Sequence, residues 1–515
     1  MQPRVLIVTS EAVPLIKTGG LADVITALAL ALRAAGVEAT VMMPGYATAL
    51  EHAWNLQPAS LDMEFPGGPG RLLCGVMPGM GVPVVLVDTA RFRARTANPY
   101  VDDSGNEFTD NALCFADLAH AALAVCAGKT SVEPPHVVHA NDWHTGLIPA
   151  LLKLHGLEHI GTMLTIHNIA FQGNFDINLA PKLGIPESML GADGMEYWGK
   201  LSFLKAGITY ADRVTTVSES YAREILTPEF GFGMEDALNL RKKDLSAIVN
   251  GIDTEVWDPA DDQLIARHFS VDCMKGKGIC KRDLQTLFGL IPTDPFAPIM
   301  GIGSRMSHQK MVDVVLDAVP AMLERHSRLQ IVVLGKGEHE YEQGFLELAD
   351  HFRGRIGVHI GYDERRAHAL HAGSDMLLHP SRFEPFGLTP LYAMRYGAMP
   401  IASRVGGLID SIIDAGKSGD PPQEATGVLF DGETAQEMLA AVDRALEIQS
   451  NASNWQRIQD NIMRADFGWD GPTANYIEAY AAISGTGSKR LFDRAKQASD
   501  HHRQQFDSLP DYHFA

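Results

Sequence analysis

Several groups of residues along this chain have the types and spacing to handle a charged leaving group. Near the N-terminus, Lys17-Thr-Gly19-Gly20 follows the apolar run "RVLIVTS" and precedes Leu21, Ile25, Leu28 and Leu32 at helical spacing. Glycines at a helix entrance let backbone approach a ligand closely, and the first N–H groups of the helix point outward, so an anion is the natural guest. The alternative is a plain tight turn with Lys17 solvated. Farther along, Gly303-Ser-Arg305-Met-Ser-His-Gln-Lys310 lies beyond another apolar run. A guanidinium fork beside a lysine point charge suits a diphosphate, although two loop cations can equally meet solvent or a carboxylate. "SRFEPFGLTPLY" from Ser381 puts Glu384 after a strand and before a segment able to open a helix, where it is either a functional carboxylate or a helix cap. His139, Asp142 and His144 straddle one strand end rather than sharing a helix face, so no metal site is expected.

The elements that must position these groups follow from periodicity. β-Branched runs start at Arg4, Glu38, Val82, His136, Gly161 and Asp212, and a second series starts at Pro298, Leu329, Gly357, Asp375, Met399 and Thr426. Helix-length segments separate them, which predicts βαβ units and two doubly wound parallel sheets. The turn-rich stretch Asn250-Gly-Ile-Asp-Thr-Glu-Val-Trp-Asp-Pro259 marks the join. Domains are therefore expected at residues 1–250 and 251–483, with a polar tail over 484–515. Gly19-Gly20-Leu21-Ala-Asp23 is matched by Gly406-Gly407-Leu408-Ile-Asp410, a hint of duplicated architecture. In open α/β sheets ligands bind beyond the carboxyl ends of strands. Reading just past each predicted strand returns Ser10-Glu11, Lys17 to Gly20, Asp142, His167-Asn168, Asn250, Arg305 to Lys310, Tyr362 and Ser381 to Glu384, a set suited to a cleft between two domains. The basic residues Lys275, Lys277, Lys281 and Arg282 are expected to face water.

Composition bounds the partners. The 515 residues carry 43 basic and 63 acidic side chains, a formal charge of -20 that repels nucleic acid and anionic lipid, so neither is expected as a partner. The five scattered cysteines form no CxxC pair and fit a reducing cytoplasm rather than a disulfide framework. The longest apolar stretch, Leu21 to Val37, contains Asp23 and Arg33, which tells against a membrane span. Neither GxxxxGK[ST] nor GxGxxG occurs at the glycine pair, so neither a P-loop nor a nicotinamide enzyme is supported.

Together, "SEAVPLIKTGGLADV", "HANDWHTGL", "TIHNIAFQG", "IVNGID", "GSRMSHQK" and "SRFEPFGLTPLY", in this order from Val5 to about Ile483, resemble the bacterial glycogen synthases and plant starch synthases that use ADP-glucose. The resemblance implies a GT-B fold, two Rossmann-like domains facing across a cleft, with a C-terminal helix near Trp469 to Ile483 crossing back onto the first domain. It implies glucosyl transfer from ADP-glucose to the non-reducing end of an α-1,4-glucan with retention of configuration, and no metal or other cofactor. By motif, Lys17 and the amides of Gly19 and Gly20 would contact the donor phosphates with Arg305 and Lys310. Glu384 would hold the donor sugar, with Gly387, Leu388 and Thr389 near sugar or phosphate. His167 would meet the glucosyl unit, its carbonyl facing the anomeric carbon. Asp142, Asn168 and Asn250 would bind glucose or the acceptor end, Tyr100 would line the acceptor side, and Tyr362 would stack near adenine. Position 386 is Phe, where the resemblance would lead one to expect cysteine. A UDP-glucose transferase with the same architecture and a catalytically silent glucan binder are the competing readings. The placement of cations for a leaving group tells against the second.

Overall fold

Each β-branched run of the sequence becomes a strand of a parallel sheet, because a run apolar throughout can be covered by helices on both faces. The structure, a computed structural model, describes residues 2–96, 98–102, 105–292, 294–417 and 420–507. It contains two compact units, Met1–Gly251 with Trp469–Ala515, and Ile252–Gly468.

In the first unit the parallel strands are β1 (Arg4–Val8), β2 (Glu38–Pro44), β3 (Pro83–Thr89), β4 (Val137–Asn141), β5 (Gly161–Ile166), β6 (Arg213–Thr216) and β7 (Leu245–Ala247). They lie in the order β7-β6-β5-β4-β1-β2-β3, and antiparallel strands Gly68–Val76 and Trp54–Pro58 extend the edge beyond β3. Those edge strands carry no alternation in the sequence: Trp54–Pro58 is largely exposed and Gly68–Val76 opens with Gly-Pro-Gly. Helix α1 (Gly20–Ala34) buries Val24, Ile25, Leu28 and Leu32, the stripe its spacing announces.

The second unit holds β8 (Ile299–Gly303), β9 (Gln330–Gly335), β10 (Ile356–Ile360), β11 (Met376–His379), β12 (Met399–Ser403) and β13 (Val428–Phe430), ordered β10-β9-β8-β11-β12-β13. Counting only the parallel strands of each unit, both sheets read 3-2-1-4-5-6, with one such strand more in the first. In such a sheet the crevice opens where strands 1 and 4 meet, beyond β1/β4 and β8/β11. The duplication is one of topology. The two matched glycine pairs do not mark it, since Gly19-Gly20 follows the first strand of its unit and Gly406-Gly407 the fifth. Ile299, Val332, Leu370, Leu377 and Ala393 form the core of the second unit, each large side chain contributing roughly 1.5–3 kcal/mol on burial.

In the helix Lys275–Leu287, Lys275 and Arg282 face solvent as expected, but Lys277 and Lys281 correct the expectation of a solvated basic run. Lys277 is buried, and its ammonium donates to the carbonyls of Ala372 (3.2 Å) and Tyr396 (2.6 Å), while Lys281 pairs with Asp375 at 2.7 Å. Buried carbonyls at helix ends need donors, and a lysine stem reaches them.

Helix α5 (Asp470–Ile483) belongs to the first unit, where it packs on α1 and β5. Gly161 permits this: a Cβ there would lie 2.6 Å from the Ile483 carbonyl oxygen. The polar sequence beyond continues as a helix, Thr486–Asp507, whose Phe492 is fully buried against Tyr480. No helix among the described residues is long and apolar enough to cross a membrane.

Candidate active site

The loop between β1 and α1 folds around an internal carboxylate. Glu11 is buried, and its Oε2 accepts the N–H groups of Thr18 (2.5 Å) and Gly19 (3.3 Å). Tyr100 donates its hydroxyl to Glu11 Oε1 at 3.1 Å, which leaves Ser10 as the donor to Tyr100 at 2.8 Å. Burial raises the Glu11 carboxyl above its ordinary value against the opposing pull of these donors. Gly19, expected to offer its amide to an external anion, thus directs it to Glu11, while a side chain on Gly19 would meet no atom. Lys17 stands at the surface with its ammonium 2.9 Å from Asp23, and Gly20 opens α1.

Beyond β4 and β5 a second constellation forms. Asp142 has φ 57°, a left-handed conformation rare for a residue other than glycine. Its Oδ1 accepts the backbone N–H groups of His167 (2.7 Å) and Asn168 (3.3 Å), and burial pushes its carboxyl up to about 7. Asn141 donates its amide to the carbonyls of Val8 (3.1 Å) and His139 (3.2 Å), so its Oδ1 is left to accept His167 Nε2–H at 2.9 Å. Burial lowers His167 to about 3, so the ring is neutral with Nε2 protonated. His144 stacks on Trp143 (4.0 Å between centroids) and His139 sits in the core between Tyr480 and Thr165. The structure does not bring His139, Asp142 and His144 together as a ligand set. Asn250 is buried with its Oδ1 unpaired among the described residues.

In the second unit the β8 and β11 ends converge. Lys310 closes the short helix after β8 and pairs with Glu384 Oε2, which also accepts from Ser381 Oγ (2.9 Å) and His379 Nε2 (3.0 Å). Burial opposes the Glu384 charge, but Lys310 and His379 outweigh it and hold the carboxyl well below the usual range. Arg382 grips Asp313 with both terminal nitrogens (2.9 and 2.8 Å), fastening the Glu384 loop to the helix Val312–Arg325. Arg305 is exposed, and its guanidinium has no ion pair or hydrogen bond among the described residues. Gly387, at φ 89°, turns the chain into the helix Leu388–Arg395, with Thr389 in its first turn. Glu384 therefore lies before the helix that its alternative role would have it cap; its side chain turns to Lys310 instead. Phe386 is buried with its backbone against Gly407, where any Cβ would collide. Tyr362 is 67% exposed, its hydroxyl donating to Glu364.

The motif-based assignments give no role to Glu11, Asn141 or His379, although Glu11 stands among the residues read just past the strand ends. Each ends or follows a buried strand and immediately precedes a residue or loop that they do single out, which is the only signal available without coordinates.

Residues 4–240 match the family model described as starch synthase catalytic domain, and residues 293–461 match glycosyl transferases group 1. A glycogen synthase of Ralstonia nicotianae is 50% identical over 484 residues, covering 94% of this chain and 89% of that protein. One from Bordetella petrii is 46% identical, covering 92% and 91%. The chain belongs to the glycogen synthase family. Among solved structures, the catalytic domain of starch synthase IV from Arabidopsis thaliana, bound to ADP and acarbose, superposes with a TM-score of 0.83 at 28% identity, covering 94% of this chain and 99% of that one. As a glycogen synthase family member with the GT-B fold, the protein is a glycosyltransferase, and its two Rossmann-like sheets carry the constellations above at their strand ends.

Proposed function

We propose that this glycogen synthase family member transfers glucose from ADP-glucose to the non-reducing end of an α-1,4-glucan with retention of configuration, releasing ADP. The observation that carries the reading is the second unit's pairing of a buried, ionised Glu384 with Lys310, five residues after an Arg305 whose guanidinium engages no other described residue. Departure of ADP places negative charge on a phosphate and positive charge on the sugar ring. Cations already fixed in place favour that separated state without reorganising. Lys310 is held by Glu384 and Ser381, and Arg305 is available to a diphosphate; Lys17 is assigned to the same phosphates.

Glu384 is assigned to the donor sugar's hydroxyls, as an acceptor that stays ionised at every physiological pH. A glycosidase-type double displacement needs a second flanking carboxylate, which the second unit's cluster does not supply among the described residues. The leaving phosphate itself then takes the acceptor's proton on the face it leaves, giving retention. In the first unit, Asp142 orients the backbone of His167 and Asn168, and Asn141 fixes the His167 ring. The His167 carbonyl is assigned to the anomeric carbon, Tyr100 and Asn250 to the acceptor, and Tyr362 to adenine. ADP in the Arabidopsis relative supports ADP-glucose over UDP-glucose. Five unpaired cysteines accord with a cytoplasmic setting.

The test is incubation of purified protein with glycogen and labelled ADP-glucose or UDP-glucose. Label entering polymer from ADP-glucose supports the reading. Label from UDP-glucose alone replaces the donor, and none from either sinks it.

A further inference from the structure

The first unit holds two aromatic residues in backbone conformations that such side chains avoid. Trp198 and Gly199, at φ 51° and 76°, form the two-residue turn of a hairpin that pairs Tyr197 with Lys200 and Glu196 with Leu201. Positive φ at both positions is type I′ geometry, which favours Asn, Asp or Gly where this chain has Trp. Phe232 and Gly233 repeat the pattern at φ 51° and 82°. The two turns are tied together, since the Phe232 carbonyl accepts both the Tyr197 hydroxyl (2.9 Å) and Gln172 Nε2 (2.8 Å). Among the described residues, five non-glycine positions have positive φ; two are these aromatics and a third is Asp142. Backbone strain of this kind persists at ligand clamps.

Trp198 is 84% exposed and Phe232 39% exposed. With Asp193, Glu196, Tyr197, Asp236 and Leu240 nearby, Trp198 edges a groove of about 470 Å³. The groove's cations are engaged within the fold: Lys205 donates to the carbonyls of Ala192 and Glu196, and Arg241 to those of Ile208, Thr209 and Ala211. Carboxylates and aromatic faces remain. That combination repels phosphates and suits a neutral polyhydroxylated chain, whose hydroxyls donate to carboxylates while its C–H faces lie on rings. One loop links the turns beside the groove to the candidate site. Gln172 follows His167 and Asn168 on one loop, next to the half-exposed Phe171, and the Gln172 carbonyl accepts from Ser202 Oγ and Leu204 N, each at 3.1 Å.

We propose that the groove edged by Trp198, with Gly233 of the Phe232 turn in its lining, grips the α-glucan polymer beyond the end that reacts. This rests on the function proposed above. The left-handed turns hold the aromatic rims in place, so the polymer meets a preformed surface.

The test compares the full-length protein with Trp198→Ala, Trp198→Phe, Trp198→Asn and Phe232→Ala. Electrophoresis through gels containing glycogen reads binding, and initial rates with glycogen or maltotriose read the acceptor KM. Trp198→Ala and Phe232→Ala are expected to lose most of the retardation by glycogen and to raise the glycogen KM by about five- to tenfold. The maltotriose KM should move less than twofold, because so short an acceptor does not reach the groove. Trp198→Phe should keep most of the affinity. Trp198→Asn, which gives the turn its preferred residue, should melt no lower than the wild type while losing glycogen affinity, so binding loss is separated from misfolding. Unchanged glycogen retardation in Trp198→Asn overturns the proposal. So does an equal rise in KM for both acceptors, or a change of oligomeric state by light scattering in the Trp198 variants, which would make the groove an interface between copies. Wild-type protein that binds glycogen but transfers no glucose would instead remove the catalytic reading and leave the groove standing.

Discussion

Asp142 Oδ1 accepts the backbone N–H of His167 at 2.7 Å, joining the ends of two neighbouring strands by one carboxylate. An ionised oxygen is a stronger acceptor than a neutral one, so the loop is held best when Asp142 is charged. With its carboxyl pushed up to about 7 by burial, turnover should rise with pH through about 7. Asp142→Asn should flatten that acid limb, and Asp142→Ala should cost about 10²-fold through misplacement of His167. The sign for stability is opposite. The native state holds the extra proton between the ordinary 3.8 and about 7, so Asp142's contribution is full below that window and is lost as pH rises through it. Rate and melting profiles from pH 5 to 8 on wild type and Asp142→Asn check both; parallel profiles would reject the role.

Glu384 and Lys310 form a buried pair, and breaking it from one side strands a charge. Either Glu384→Gln or Lys310→Met should lower stability by about 3–5 kcal/mol, and turnover by about 10²–10³-fold. The double variant should recover much of the stability and none of the activity, which separates the pair's two effects. Because Glu384 is held below its ordinary 4.5, its stabilisation is complete above that pH and is lost only on further acidification. Thermal melts and single-turnover rates on the four proteins settle it. Recovery of activity in the double variant would show the pair to be structural.

Arg305 and Lys17 offer the converse case. Arg305 is exposed without a partner among the described residues, and Lys17 pairs with Asp23 at the surface, where such a pair is worth about 0–1 kcal/mol. Arg305→Ala and Lys17→Ala should therefore melt close to the wild type while losing about 10²–10³-fold in kcat, with glucan affinity retained. A variant with full activity removes that residue from the donor role.

The inner parallel strands were legible because burial on both faces makes them read as apolar runs, as Val84–Val87 does, whereas half-buried Leu245–Ala247 at the sheet edge was not. The exposed edge strand Trp54–Pro58 leaves no such trace. Site residues were visible as types at strand ends, but their partnerships were not. Asp142 meets the backbone of a residue 25 positions away only because Asn141 registers with Thr165 across β4 and β5. Lys277 read as solvated since a charge run carries no sign of the carbonyls waiting for it at Ala372 and Tyr396. Glu11 was visible as a carboxylate just past a strand, but nothing local shows that it turns back on its own loop.

Beneath Asp142 a chain of donors ties the C-terminal helix to the sheet. With burial lowering His139 to about 3, the ring is neutral: Tyr480 donates to its Nδ1 at 2.9 Å, and its Nε2 donates to Thr165 at 2.7 Å. Thr165 contacts Thr215 at 2.7 Å, and its carbonyl receives the Asp142 N–H at 2.9 Å. Tyr480→Phe keeps the ring against Phe492 and Tyr476 but leaves His139 Nδ1 buried and unpaired, a loss of about 1–3 kcal/mol. The melting temperature should fall by several degrees and amide exchange in α5 should quicken, while kcat changes far less than in Asp142→Ala. Unaltered exchange in α5 would mean that apolar packing alone anchors the helix. A kcat loss matching that of Asp142→Ala would mean instead that the chain sets the Asp142 geometry from below.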